Sequence, residues 1–145
     1  MMSIMMKMKS EQLAILTVRV GEQLWGFLIE DVVEVAAMVA LSSPPGKPPH
    51  LLGFANRHGD VMPVLDLRVM LGLGASTVDI NTLFVVVRWQ GKLTGLVVDD
   101  VLQVDYFPSD ALSETRNAGQ YIRGIIRYNE HLIQVLAVEP LVYEV

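Results

Sequence analysis

Three histidines, two acidic pairs and a set of turn glycines are the residues here whose types could do chemistry. His58 stands near Asp60 and Asp66, the kind of grouping in which an imidazole acts as general base and a carboxylate orients it. A hydrolase around His58 and Asp66 also needs a nucleophile, and no serine or threonine stands nearby in a strained G-x-S-x-G turn. His50, His58 and His131 fall in separate loops or turns, none four residues from another, and no HExxH is present. Glu30-Asp31 and Asp99-Asp100 would suit a divalent cation, but acidic residues opening a helical turn, where the dipole favours them, account for both pairs. Gly21, Gly26, Gly91 and Gly95 lack the spacing of a phosphate loop. There is no cysteine, which excludes disulfides, thiolate metal sites and cysteine nucleophiles. Nothing asks for a cofactor or a metal, and the residues read as those of a binding module, not an enzyme.

The elements that must position these residues are short strands. The 145 residues are 52% hydrophobic, enough for one domain with a real core. The longest clean apolar run is Val35 to Leu41, far short of the roughly 20 residues of a spanning helix. We therefore expect no membrane insertion. The formal charge of −5 and the scattered lysines and arginines argue against a nucleic-acid partner. Residues 1–12 begin with MMSIMMKMKS, which has no secretory pattern, and are expected to be a disordered N-terminal segment of a cytoplasmic protein.

Leu13 to Val20 alternates with the period of a half-buried strand, and Leu24 to Ile29 returns after a turn. Glu30 to Val33 is expected as a helical turn, Val35 to Val39 as extended chain, and Ser42 to Pro49, with four prolines and one glycine, as a stiff loop. Leu51 to Leu67 reads as strand, tight turn, strand. A short helix follows over Asp66 to Leu71, then a linker from Ala75 to Asn81. Leu83 to Trp89 and Lys92 to Val98 are strands; Asp99-Asp100 is expected to open a helical turn, with Leu102 to Phe107 extended. Pro108 to Leu112 is expected as another helical turn with Ser109 as N-cap, Ser113 to Gly119 as polar loop, and Tyr121 to Arg127 with Leu132 to Val138 as the last hairpin. Trp25 and Trp89 belong to packing.

The chain also repeats itself. Arg19 to Val35 lies over Arg88 to Val104 without a gap, matching Gly26 to Gly95, and Val64-Leu65 falls on Val135-Leu136. A period of about 70 residues is too long for a solenoid and long enough for one small barrel of about five strands. The sequence predicts a mainly β protein, residues 13–145, made of two similar subdomains with repeat halves near 13–75 and 82–145. Pro63 has Gln134 as its counterpart, and Asn56-Arg57 has Arg127-Tyr128, so these are features of one copy only. Such features are better candidates for function than for fold. Val32 and Glu34, the proline loop with Pro45 and Pro48, and the hairpin tip Asn56, Arg57, His58 and Gly59 are the candidate partner-binding residues.

From Leu13 to Tyr143 the chain resembles the CheW-like family, the coupling proteins of bacterial chemotaxis arrays. The likeness is carried by Trp25-Gly26, Ile29 to Val35, the proline loop Ser43 to Pro49, Gly53 to Leu67, Gly91 to Val101 and Tyr121 to Gly124. It implies two five-stranded SH3-like β-barrels with short helices around a shared core. It also implies a non-enzymatic adaptor linking the cytoplasmic tips of methyl-accepting chemoreceptors to the regulatory domain of a CheA-type histidine kinase, in receptor arrays at the inner membrane. The receptor tip would lie in the groove between barrels. The family's N-L-R-G is N-R-H-G here. His58 thus takes the place of the arginine and Arg57 that of an apolar residue, and an imidazole reaches less far than a guanidinium fork. The alternative implied by this change is a divergent regulatory module of an auxiliary chemosensory pathway, governing pili or gene expression, that binds only one of these partners.

Overall fold

A computed structural model of the protein describes residues 12–115 and 119–143. The segment expected to be disordered lies outside them except for Gln12, which begins the first strand. The strands are β1 (Gln12–Val20), β2 (Gln23–Leu28), β3 (Val32–Ala37), β4 (Leu51–Arg57), β5 (Asp60–Asp66), β6 (Leu83–Trp89), β7 (Lys92–Val98), β8 (Asp100–Pro108), β9 (Leu112–Glu114), β10 (Ile122–Tyr128) and β11 (His131–Leu136). Two 3-10 turns, Ile29–Asp31 and Ser109–Ala111, and two short helices, α1 (Leu67–Met70) and α2 (Val138–Val142), complete it. The protein is mainly β, in a six-stranded sheet ordered β8-β1-β2-β11-β10-β9 and a five-stranded sheet ordered β3-β6-β7-β5-β4.

Each sheet draws strands from both halves of the repeat. Hairpin β1–β2 joins the late strands through a parallel β2–β11 junction, and hairpin β6–β7 joins the early strands through a parallel β5–β7 junction. The halves 13–75 and 82–145 are therefore units of sequence, and the sheets are assembled across them. Both junctions pass through the glycines that the repeat aligned, Gly26 opposite Val135 and Gly95 opposite Val64. A Cβ on Gly26 would lie 2.5 Å from Ile15 Cγ2, and one on Gly95 2.9 Å from Phe84 Cδ2, so neither strand crossing tolerates a side chain there.

Alternate residues of the central strands feed different cores. On β6, Phe84 and Val86 enter a cluster inside the five-stranded sheet with Ala55, Met62, Val64 and Val97. Val85 and Val87 instead enter a cluster shared by both sheets, with Val18, Phe27 and Leu96 among its members. A third cluster, including Ile15, Phe107, Ile126 and Ile133, fills the six-stranded sheet. This is why LFVVVRW is apolar on both faces: a strand with its own sheet's cluster on one side and the shared core on the other has no solvent face.

Three expectations fail locally. Asp99-Asp100 opens no helical turn: β8 already begins at Asp100. Asp99 instead ties the sheets together, its Oδ2 accepting from the Gly21 N–H at 2.6 Å and from Arg68 Nη1 at 3.0 Å. The last strand stops at Leu136, and Val138 starts α2, whose Val138, Leu141 and Val142 pack into the shared core. The turn after β8 has Pro108 at the cap position and no side-chain cap from Ser109. Asp66, fully buried, caps α1 through the Arg68 N–H and also accepts from the N–H and hydroxyl of Ser76 at 2.9 and 2.6 Å, so both carboxyl oxygens have donors.

Pro63 sits inside β5 at no cost to the β4–β5 ladder. The hairpin closes through a two-residue turn with His58 at φ 51° and Gly59 at φ 88°, so Arg57 and Asp60 form its first hydrogen-bonded pair. Counting back by alternation makes Phe54 and Pro63 a pair that exchanges no hydrogen bonds. Phe54 N–H accordingly points the other way, to Ser42 O at 2.8 Å. The nitrogen of Pro63 faces β7, and the β5–β7 ladder starts one residue later, at Val64.

Candidate functional site

Glu34 and Arg57 lie on β3 and β4, the two outer strands of the five-stranded sheet, twenty-three residues apart in sequence. Glu34 pairs across β3–β6 with Val86, and Arg57 follows Ala55 by two along β4, so both point toward the cluster inside that sheet. At its rim they meet. Arg57 Nε donates to Glu34 Oε1 at 2.7 Å and Nη2 to Oε2 at 2.8 Å, a bidentate fork. Together with the Ser42–Phe54 bridge, this pair links one edge of the sheet to the other. The guanidinium thus grips a carboxylate from position 57.

Hydrogen bonding from Arg57 holds the Glu34 carboxyl below its ordinary value of 4.5 against the opposing effect of desolvation, with lesser lowering by the charges of Arg57 and His58. A lowered folded-state pKa lends stability that is present above the ordinary value and is lost as pH falls through the lowered one. Glu34→Gln is therefore expected to flatten the acid limb of the stability curve below about pH 4.5. Urea midpoints measured from pH 7 to pH 3 check this; parallel curves for the two proteins would show that the pair contributes nothing.

The remaining hairpin-tip residues serve the turn. Asn56 Oδ1 accepts from the Gly59 N–H at 3.0 Å, and His58 is exposed in the left-handed region. Pro45 and Pro48 are exposed in the loop between β3 and β4. That loop is tied to β4 by Ser42 and by Ser43 Oγ, which donates to Leu52 O at 2.9 Å. Of the predicted residues, the fold joins Glu34 to Arg57, with Asn56, His58 and Gly59 in the adjacent turn, and Val32 on the same strand as Glu34. The two prolines stand on a separate loop.

Val32 leads to residues that the sequence reading missed. It is half-buried against the shared core, as is Val101 on β8, the outer strand of the other sheet. Exposed Ile29 and Val35 lie beside Val32 in the chain, and exposed Leu102 and Val104 beside Val101, with Val104 opposite the core residue Leu16 in the β1–β8 ladder. The two outer strands thus present an apolar seam where the shared core reaches the surface. The signal was present in VLQV, whose apolar residues are too many for an ordinary edge strand. Among the described residues no helix is long and apolar enough to cross a membrane, and no cluster of three or more His, Asp and Glu is arranged to hold a metal.

Comparison with known proteins gives this geometry a context. The chemotaxis protein CheW of Helicobacter pylori is 25% identical over 126 residues, 84% of this chain and 76% of that protein. Protein FrzA of Myxococcus xanthus is 29% identical over 124 residues, 81% of this chain and 78% of that one. The crystal structure of the scaffolding protein TtCheW from Thermoanaerobacter tengcongensis superposes with a TM-score of 0.80 at 25% identity, covering 86% of this chain and 88% of that one. The family model for the CheW-like domain matches residues 14–145, and with two sheets joined through swapped hairpins and an apolar seam between their edges, this chain belongs to the CheW-like family.

Proposed function

We propose that this protein is a non-enzymatic scaffold that couples methyl-accepting chemoreceptors to a CheA-type histidine kinase. The observation that carries the reading is that Val32 and Val101, on the outer strands β3 and β8, both pack against the shared core, with exposed Ile29 and Val35 beside the one and exposed Leu102 and Val104 beside the other. Exposed aliphatic side chains at a seam between two rigid sheets suit an apolar stripe of a partner and would be a liability on a protein without one. The receptor tip is the occupant assigned to the seam. The regulatory domain of the kinase binds elsewhere on the chain, and the coupled complex belongs to receptor arrays at the inner membrane.

A second reading is a regulatory module of an auxiliary pathway that binds only one of the two partners. It is favoured by the exchange at the hairpin tip: Glu34 engages both ends of the Arg57 fork, and the exposed tip residue is His58 rather than an arginine. One pull-down separates the readings. Retention of both the kinase regulatory domain and a receptor-tip fragment supports the coupler, retention of one supports the module, and retention of neither rejects both.

A further inference from the structure

β8 is the longest outer strand of the fold, nine residues against six in β3, seven in β4 and three in β9. Among the described residues only β1 pairs with it. The five-stranded sheet ties its outer strands together, β3 to β4 by the Glu34–Arg57 fork and the chain beyond β3 to β4 by the Ser42–Phe54 bridge. In the other half of the repeat, Gln103 stands in the place of Glu34 and Tyr128 in that of Arg57. Gln103 donates instead to Asp105 Oδ2 at 3.1 Å, and the Tyr128 ring stands edge-on to Phe107 at 5.6 Å. The edge of β8 is left unlatched.

Alternation sorts the backbone groups of that edge. Val20 and Gln23 flank the two-residue turn Gly21-Glu22 and form the first hydrogen-bonded pair of β1–β2. Val18 and Leu16 then point their N–H and C=O toward β2, and Thr17, Ile15 and Leu13 point theirs toward β8. The partners of these three are Gln103, Asp105 and Phe107, so Val104 and Tyr106 turn their N–H and C=O away from β1. A register shift at Leu102 disturbs the ladder near its start, and from Gln103 to Pro108 it runs regularly. The side chains of Val104 and Tyr106 are 38% and 69% exposed. Asp105 lies on the opposite face, where its Oδ2 accepts from Thr17 Oγ1 at 2.9 Å.

A bare edge of this kind takes up another strand, and charge decides which. Residues 99–115 hold five carboxylates, Asp99, Asp100, Asp105, Asp110 and Glu114, and no lysine, arginine or histidine. Asp99 pairs with Arg68; the other four form no ion pair among the described residues. Two copies of this edge side by side would set carboxylates against carboxylates, which disfavours a second copy as the occupant. An incoming antiparallel strand places one alternate set of side chains beside Val104 and Tyr106 and the other beside Gln103 and Asp105. The first set suits aliphatic residues and the second suits basic ones. We propose that the outer edge of β8 is a strand-addition site for an antiparallel partner segment alternating aliphatic and basic residues, its main chain bonded to Val104 and Tyr106. The site is the main-chain edge of β8, and it stands whichever reading of the function holds.

Titration of the ¹⁵N-labelled full chain with an end-capped peptide of alternating valine and lysine tests it, read by amide hydrogen exchange. At saturation, exchange at Val104 and Tyr106 is expected to slow by roughly ten-fold or more, while Gln103 and Asp105, already bonded to β1, change little. The valines of the antiparallel peptide stand opposite Val104 and Tyr106, so their N–H groups are the ones that bond to β8. N-methylation of the valines is therefore expected to abolish binding, and N-methylation of the lysines to leave it intact. Asp105→Asn keeps an oxygen for Thr17 and Gln103 and is expected to weaken the lysine peptide about two- to five-fold, the range of one cross-strand charge pair. Absence of binding, protection spread equally over Gln103 and Asp105, or binding that survives N-methylation of the valines overturns the proposal. So does a valine–glutamate peptide that binds as tightly.

Discussion

Phe27→Ala is expected to lower stability by about 3–5 kcal/mol, and to lower it for both sheets together. Phe27 is fully buried on β2 of the six-stranded sheet, in a cluster to which Val85, Val87 and Leu96 of the other sheet contribute. Its removal leaves a cavity at the junction, not inside either sheet. Because hairpins β1–β2 and β6–β7 are built into sheets made largely by the other half of the chain, neither half can unfold without breaking ladders in both. The two tryptophans report on the two sheets separately, Trp25 from β2 and Trp89 from β6. Single-tryptophan variants, Trp89→Phe and Trp25→Phe, should therefore give coincident urea transitions, and Phe27→Ala should shift both by the same amount. Two separated transitions would disprove the common core as the unit of stability.

Val104→Asp is expected to weaken binding of a receptor-tip fragment by about 2 kcal/mol or more, roughly thirty-fold, while leaving the kinase regulatory domain bound. Val104 is exposed, so the free protein tolerates the charge, whereas an occupied seam would press an unpaired carboxylate against apolar surface. Isothermal titration with each partner is the measurement, with thermal unfolding to establish that the variant is folded. An unchanged receptor affinity would remove the seam from the binding surface. The salt dependence should stay small in wild type, since the contact is apolar, in contrast to a site carried by rim charges.

Strand positions were readable because alternation and turn residues report local geometry, and both exchanged hairpins, β1–β2 and β6–β7, fall within a residue or two of their expected ends. The exchange of hairpins between halves was not readable. Gly26 and Gly95 align in the repeat, but a glycine states only that something approaches closely, and not which strand does so. Asp99-Asp100 misled for a related reason. Two acids after an apolar run have the composition of a helix start, and the contact that decides their role is made by Gly21 and Arg68, far away in sequence. Leu132 to Val138 read as one strand because Val138 is apolar, while Pro140 is accommodated within the short helix α2. At the candidate site, Glu34 and Arg57 were both named from the sequence but not as a pair. They sit on opposite edges of one sheet, and nothing in a list of residues joins its two ends.

The exchanged hairpins also set a timetable for synthesis. Every strand of the five-stranded sheet is present once Val98 has left the ribosome, and its pairings can close in the order they emerge. Hairpin β1–β2, made first, must wait for β8 on one side and for β11 on the other, the last strand of all. Through that interval the oldest part of the chain holds two unpaired edges and the apolar face of Phe27. The N-terminal hairpin thus makes the ladder pairings of longest sequence separation, Leu24 with Ile133 among them. Slow translation, which helps most domains fold as they appear, would prolong the stage at which this one is most prone to pair with a neighbour.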